Sequence, residues 1–308
     1  MVYIYLALAA IFWGGNYVVG KLMVIDTNPI LLSELRWFLT SILLMAFNFS
    51  QLKSSKDLIR NNLGIIFPLA ILGQILFPVT LYIGLQYTSS LNAAIYLSAT
   101  PAIVLTINYI MFRDEITKSN ILGVIISTLG VAWLITQGKP ADLEFLHTFN
   151  KGDAWTIISA LSWGFYCSFL RKKPKELSGN IFVTSSAIVG AIILLPFSGY
   201  YLYKGTDIAM TWSLGSVAGL AYLVVFPSWL SYLLWTKGIL AIGATRGEIF
   251  THLIPLSAGL LSIIFLGTKL STYHVESVIA IAIGVFLCSR HSPAAINKKA
   301  TSPAASKQ

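Results

Sequence analysis

Residues 91–135 read LNAAIYLSATPAIVLTINYIMFRDEITKSNILGVIISTLGVAWLI. An apolar run broken by Pro101 leads to the charged turn Arg113-Asp114-Glu115, and a second apolar run follows, carrying Gly123 and Gly130. The same layout returns 154 positions later, at 245–287, as TRGEIFTHLIPLSAGLLSIIFLGTKLSTYHVESVIAIAIGVFL. Pro101 falls on Pro255, Gly130 on Gly284 and, upstream, Gly84 on Gly238. A chain that carries one apolar plan twice is expected to consist of two related halves.

The composition sets the solvent in which those halves fold. Of 308 residues, 56% are hydrophobic and 11% charged, against roughly 25% charged in soluble proteins. That excludes an ordinary globular enzyme. The apolar residues group into runs of about 17 to 25, the length that spans about 30 Å of hydrocarbon as helix. A transmembrane β-barrel would instead show short alternating segments. Cys167 and Cys288 lie in separate runs without metal-type spacing and read as small buried hydrophobes. The first run, Tyr3 to Leu22, lacks a cationic leader and reads as a membrane helix rather than a cleaved signal.

Ten spans follow: roughly 3–22, 30–49, 63–86, 90–111, 119–136, 153–171, 180–202, 213–236, 244–266 and 273–290. Placing the N-terminus in the cytoplasm puts 15 Lys and Arg of the loops and tail inside and 5 outside, so both termini are expected in the cytoplasm. That bias also accounts for the net charge of +9, and no nucleic-acid partner is expected. Ala10-x-x-Trp13-Gly14 recurs as Ala160-x-x-Trp163-Gly164 at an offset of 150. Five spans per unit is an odd number, so the second unit enters the membrane from the other side. The expected fold class is an all-α polytopic membrane protein, ten transmembrane helices in an inverted 5+5 repeat. Its expected parts are 1–137, a periplasmic connection 138–152, the inverted repeat 153–290 and a disordered cytoplasmic tail 291–308. In that architecture substrate sites lie near the midplane between the halves.

Counting helical rise from each starting face gives depths. Trp13, Trp163, Gln74, Pro101 and Pro255 fall near the midplane; Asn16, Tyr17, Arg36 and Tyr96 lie in the outer half; Tyr166, Trp229, Glu248 and His252 in the inner half. Arg36 is the sharpest of these, because a cation within a span is costly unless paired or wet. It either binds an anionic group such as a carboxylate, or it snorkels or pairs with helix-end carbonyls and Glu34 as a strut. Glu248 and His252 are four apart and share a face; they are candidates for proton coupling, or else a helix-start carboxylate and a bundle histidine. Asn92 and Tyr96 share a face in the same way. Trp13, Trp163, Tyr17 and Tyr166 could stack on a flat or cationic substrate, or pack helices. Pro101 and Pro255 are expected helix breaks. Gly123, Ser127, Gly130, Ala280, Gly284 and Gly215-x-x-x-Gly219 read as close-packing faces.

No phosphate loop, HExxH or GxSxG motif occurs in the chain. The residues Ala10 to Asn16, Leu35-Arg36, Gly84 to Ser90, Pro101, Phe112-Arg-Asp-Glu115, Gly123 to Gly130, Trp163-Gly164, Pro255 and Gly284 together resemble the drug/metabolite transporter superfamily, and within it the EamA-type ten-helix bacterial carriers. The resemblance implies a cavity formed by spans one to four and six to nine, supported by five and ten, and alternating access. Where it implies an acidic residue after span nine, equivalent to Glu115, this chain has Lys269, and span seven has no counterpart of Arg36. The expected function is secondary active transport of a small metabolite, an amino acid or related compound and chiefly export, across a bacterial inner membrane. Uptake or exchange of a nucleoside-like metabolite is the alternative, and a channel or membrane-embedded enzyme are remote ones. The expected substrate-binding residues are Trp13, Asn16, Tyr17, Arg36, Gln74, Tyr96, Trp163, Tyr166 and His252. No cofactor, metal or catalytic residue is expected; the expected surroundings are a small-molecule substrate and the lipid bilayer, with the chain a monomer or weak homodimer.

Overall fold

The computed structural model describes residues 1–88, 90–136, 138–139, 150–204, 212–266 and 271–289. Among them ten long helical stretches follow one another, besides the short helix Lys56–Asn61 and a 3-10 turn at Leu170–Lys172: α1 (Val2–Met23), α2 (Pro29–Ser54), α3 (Leu63–Tyr87), α4 (90–112), α5 (Lys118–Ile135), α6 (Lys151–Phe169), α7 (Gly179–Lys204), α8 (Leu214–Ile242), α9 (244–266) and α10 (Thr272–Ser289). No strand occurs among the described residues. Five of these, α1, α2, α3, α7 and α8, are long and apolar enough to cross a membrane on their own composition. Residues 140–149, Lys269 and the tail from 290 lie outside the described residues.

Local chemistry sets the ends. Asn28 caps α2 by accepting from the backbone of Ile30 at 2.9 Å, with Pro29 at the first helical position. Asn150 and Asp153 close a reciprocal capping box on α6, as Ser213 and Ser216 do on α8. Arg113 adopts φ 53° where α4 stops, and Gly243 takes φ 83° between α8 and α9, a conformation glycine reaches without a side-chain clash.

Corresponding helices of the two halves meet. α2 packs on α7 and α5 on α10, while α3 packs on α6 and α8 on α1, so each half lends its third helix to the first helix of the other. Lipid tails are as apolar as leucine, so close packing of small residues rather than water exclusion holds such pairs. At α5/α10 a side chain on Gly123 would meet the carbonyl of Gly284 at 2.7 Å, and one on Gly130 would meet Ala280 at 2.8 Å. Gly84 faces the carbonyl of Gly152 at the α3/α6 crossing, and Gly238 faces Leu6 at the α8/α1 crossing. Gly219 packs on Met23 and Val19, whereas Gly215 meets only its own cap residue Ser213. These contacts join the end of α3 to the start of α6, and the end of α8 to the start of α1, as an inverted pair of units requires.

The breaks fall differently from the expectation that Pro101 and Pro255 mark them. The α4 helix is interrupted at Ala99, two residues before Pro101, and α9 passes through a 3-10 turn at Glu248–His252, just before Pro255. Proline acts on the carbonyl four residues back, which loses its N–H partner and is crowded by the ring. For Pro101 that carbonyl belongs to Leu97, and it accepts the hydroxyl of Thr100 instead. Two further irregularities carried no sequence signal that was read: α3 and α8 each contain a π-helical turn at mid-span, Ile71–Leu76 and Val224–Leu230.

Candidate functional site

The two π-turns and the 3-10 turn of α9 meet one aromatic cluster. Trp13 and Trp163 meet at 4.9 Å between ring centroids, Trp13 and Trp235 at 5.0 Å, and Trp163 and Tyr166 at 5.0 Å. Tyr232 lies 5.8 Å from Trp13, 5.7 Å from Trp163 and 5.2 Å from Trp37, and Phe77 packs on Trp163 at 4.8 Å. Every one of these rings is buried, Trp13 at 2% exposure and Trp163 at 1%. The expected cavity walls therefore touch each other here, and the structure is closed at this level. Edge-to-face geometry dominates, as ring quadrupoles favour.

Polar atoms of the rings are tied to the backbone irregularities. Trp13 donates Nε1–H to the carbonyl of Pro227 in the α8 π-turn at 2.9 Å, and the hydroxyl of Tyr232 donates to the carbonyl of Gly73 in the α3 π-turn. Ser162 and Ser159 of α6 donate to the carbonyls of Leu72 and Phe77, both at 2.8 Å. Ser228 donates to the carbonyl of Leu223, which stands four residues before Pro227 and has lost its helical donor. Such turns recur at functional sites because they present backbone groups sideways.

Arg36 sits beside this cluster at 0% exposure. Its Nη1 donates to Asn16 Oδ1 at 3.2 Å and to the Tyr82 hydroxyl at 2.8 Å, Nε donates to Ser228, and Tyr82 donates to Asn16 at 2.9 Å. The guanidinium carbon stands 5.2 Å from the centre of the Trp37 ring. Its Nη2 has no hydrogen-bond partner, nor does Asn16 Nδ2. Among the described residues no carboxylate pairs with Arg36; the ion pair found there is Arg171–Asp114, at 2.6 Å. The strut with Glu34 is thus not formed, and snorkelling is ruled out by burial. Glu34 is itself 4% exposed with both carboxylate oxygens unpartnered.

Glu248 lies on the other side of the cluster at 0% exposure. Oε1 accepts the indole N–H of Trp163 at 3.0 Å, and Oε2 has no N–H or O–H partner. The thiol of Cys167 is beside the same carboxyl and accepts the indole N–H of Trp235 at 3.2 Å. His252, although four residues on, faces elsewhere: Nε2 lies 2.7 Å from the carbonyl of Ser98, so that nitrogen carries the proton and the α9 turn is tied to the α4 break. With its amide nitrogen assigned to the side facing the carbonyls of Leu69 and Ala70, Gln74 donates to both, at 3.2 and 3.1 Å, and accepts the Ser186 hydroxyl at 3.3 Å. Tyr17 is buried; Tyr96 is half-exposed and joins none of the ring contacts, and the side chain of Asn92 lies outside the described residues.

The structure thus brings together Trp13, Asn16, Arg36, Trp163 and Tyr166, and adds Trp37, Phe77, Tyr82, Ser228, Tyr232 and Trp235. One signal for two of the additions was present: Tyr82 and Tyr232 stand 150 positions apart, the offset that relates Trp13 to Trp163. No group of three or more His, Cys, Asp or Glu that could hold a metal occurs among the described residues.

Above and below the cluster both faces are packed shut. At the face where α1 begins, Leu6 meets Gly238 and Gly247, and Asn108 of α4 donates to Thr245 of α9 at 2.8 Å. At the opposite face Thr88 donates to Asp153 at 2.6 Å, and Lys21 donates to the carbonyls of Leu85 and Thr88 at 2.6 and 3.1 Å.

Comparison with known proteins agrees with this architecture. YyaM, described as an uncharacterized transporter of Bacillus subtilis (strain 168), is 26% identical over 289 residues, covering 94% of this chain and 93% of the relative. YicL, described as an uncharacterized inner membrane transporter of Salmonella typhimurium (strain LT2), is 24% identical and covers 92% of this chain and 94% of the relative. One solved crystal structure superposes with a TM-score of 0.70 over 92% of this chain and 95% of that chain, at 11% identity, a likeness of fold. The EamA-like transporter family matches residues 1–136 and 150–290. The chain therefore belongs to the EamA-like transporter family and is a multi-pass, all-helical membrane transporter.

Proposed function

We propose that this transporter is a secondary carrier that moves a small carboxylate-bearing metabolite, an amino acid or related compound, outward across a bacterial inner membrane by alternating access, with both termini cytoplasmic. The observation that carries the reading is Arg36: a wholly buried cation held by neutral groups from α1, α3 and α8, with one guanidinium nitrogen unpartnered. A buried cation without a counter-ion is costly, and a substrate carboxylate would supply one in the bidentate geometry arginine favours. The three helices that hold Arg36 come from both halves, so a ligand there would bridge the two halves. The positive loops and the relative YicL, described as an inner membrane transporter, support the inner membrane. Alternating access is supported by the two packed ends, α8–α1 with α9–α4 at one face and α3–α6 at the other. Between them the π-turns and the α4 and α9 breaks give places where a helix can flex.

Counterflow in proteoliposomes tests it. Accelerated exchange of a labelled amino acid against unlabelled substrate is expected, and Arg36→Gln is expected to abolish it while the purified variant still folds. Exchange by Arg36→Gln at the wild-type rate would remove the carboxylate from Arg36.

A further inference from the structure

Two ionisable side chains of opposite sign, Arg36 and Glu248, are buried in the core of this transporter without an ionic partner among the described residues, and the aromatic cluster stands between them. Arg36 touches Trp37, Trp37 touches Tyr232, Tyr232 touches Trp163, and Trp163 donates to Glu248. The separation follows from helix rise. Gly247, next to Glu248, packs at the level of Leu6 on α1, whereas Arg36 bonds Asn16, ten residues further along the same helix. That places the Arg36 guanidinium and the start of the turn that carries Glu248 about 15 Å apart along α1, a separation that the Glu248 side chain shortens as it reaches Trp163.

Resting on the reading that this core is the transport site, we infer that the transported molecule is elongated and dipolar, with its anionic group on Arg36 and an ammonium on Glu248. Glu248 offers an ammonium the oxygen Oε2, which has no N–H or O–H partner, while Oε1 is held by the indole N–H of Trp163, the ring that packs on Tyr166 and Tyr232. Between the charges the rings suit an apolar or aromatic body. The adjacent charges of a simple α-amino acid stand too close together to reach both residues. Arg36 has no counterpart on α7, so opposite charge at the two ends is not imposed by the repeat.

Thermal-shift titration of the purified wild-type protein with ω-amino carboxylates from glycine to 8-aminooctanoate, each beside its amine-free carboxylate, needs no variant. The longer amino carboxylates are expected to bind about tenfold or more tighter than glycine and than their amine-free analogues, the size of one charge-assisted contact. In Glu248→Gln the advantage of the amine is expected to shrink to less than about twofold. Affinity that ignores both chain length and the amine overturns the inference, as does a loss in Glu248→Gln that is equal for both ligands of a pair. If short carboxylates bind and exchange through Arg36 while the amine adds nothing, the carboxylate reading stands and the two-charge inference alone fails. Should no carboxylate bind or exchange, the transport-site reading fails with it.

Discussion

Trp13 on α1 is hydrogen-bonded through its indole N–H to the carbonyl of Pro227 on α8 at 2.9 Å, so the first helix of one half is tied to the backbone irregularity of the other. Trp13→Phe keeps an aromatic ring but removes the donor and part of the indole's packing, leaving a buried carbonyl short of a partner. A loss of roughly 1–3 kcal/mol is expected, read as a lower midpoint in thermal unfolding of the detergent-purified protein. An unchanged midpoint would show that the bond contributes nothing net.

The α5/α10 pair is expected to serve packing rather than the substrate. An added methyl at Gly123 would meet the Gly284 carbonyl at 2.7 Å, and one at Gly284 would meet the Gly123 carbonyl at 2.6 Å. Both neighbours are backbone and cannot give way. Gly123→Ala and Gly284→Ala should each cost about 1–3 kcal/mol, with substrate preference in counterflow left as in wild type.

Two carboxylates at opposite faces should differ sharply in worth. Arg171 and Asp114 form a bidentate pair at 2.9 and 2.6 Å, but about a third of each side chain is exposed (34% and 33%). Asp114→Asn should cost less than about 1 kcal/mol, less still in salt. Asp153 is 2% exposed and accepts from both Thr88 and the Asn150 backbone. Asp153→Ala should cost about 2–4 kcal/mol, since it strips a helix cap and a contact between α3 and α6 together. Equal thermal shifts for the two variants would contradict this ranking.

His252 is expected to act as a tie between α9 and α4. His252→Gln can still donate to the Ser98 carbonyl and should keep stability and the wild-type shape of transport against pH, whereas His252→Phe orphans that carbonyl and should lower the unfolding midpoint. A flattened pH profile in His252→Gln would instead place the imidazole in proton coupling.

Fold class was legible because the bilayer is a demanding solvent: each span has to be apolar for about 20 residues and satisfy its own backbone. Run length alone located ten segments, and small residues at 123, 130 and 284 marked the face where α5 meets α10. Trp13, Trp163 and Arg36, which the structure buries, stood out too, as aromatic or charged residues well inside apolar runs. Trp37, Tyr82, Tyr232 and Trp235 were not singled out, because which way a ring points around a helix that is apolar on every side leaves little periodic trace.

From the sequence alone, then, come the membrane, the ten segments and the doubled and inverted plan. Only the tertiary structure decided that Arg36 is held by Asn16, Tyr82 and Ser228 and not by Glu34, and that Glu248 and His252 turn to different partners. It also put the helix irregularities at the π-turns of α3 and α8 and just upstream of Pro101 and Pro255. Depth runs along the helix axis and follows from rise per residue, but partnership depends on rotation about that axis and on which helix lies alongside, and those are set by packing between segments far apart in the chain.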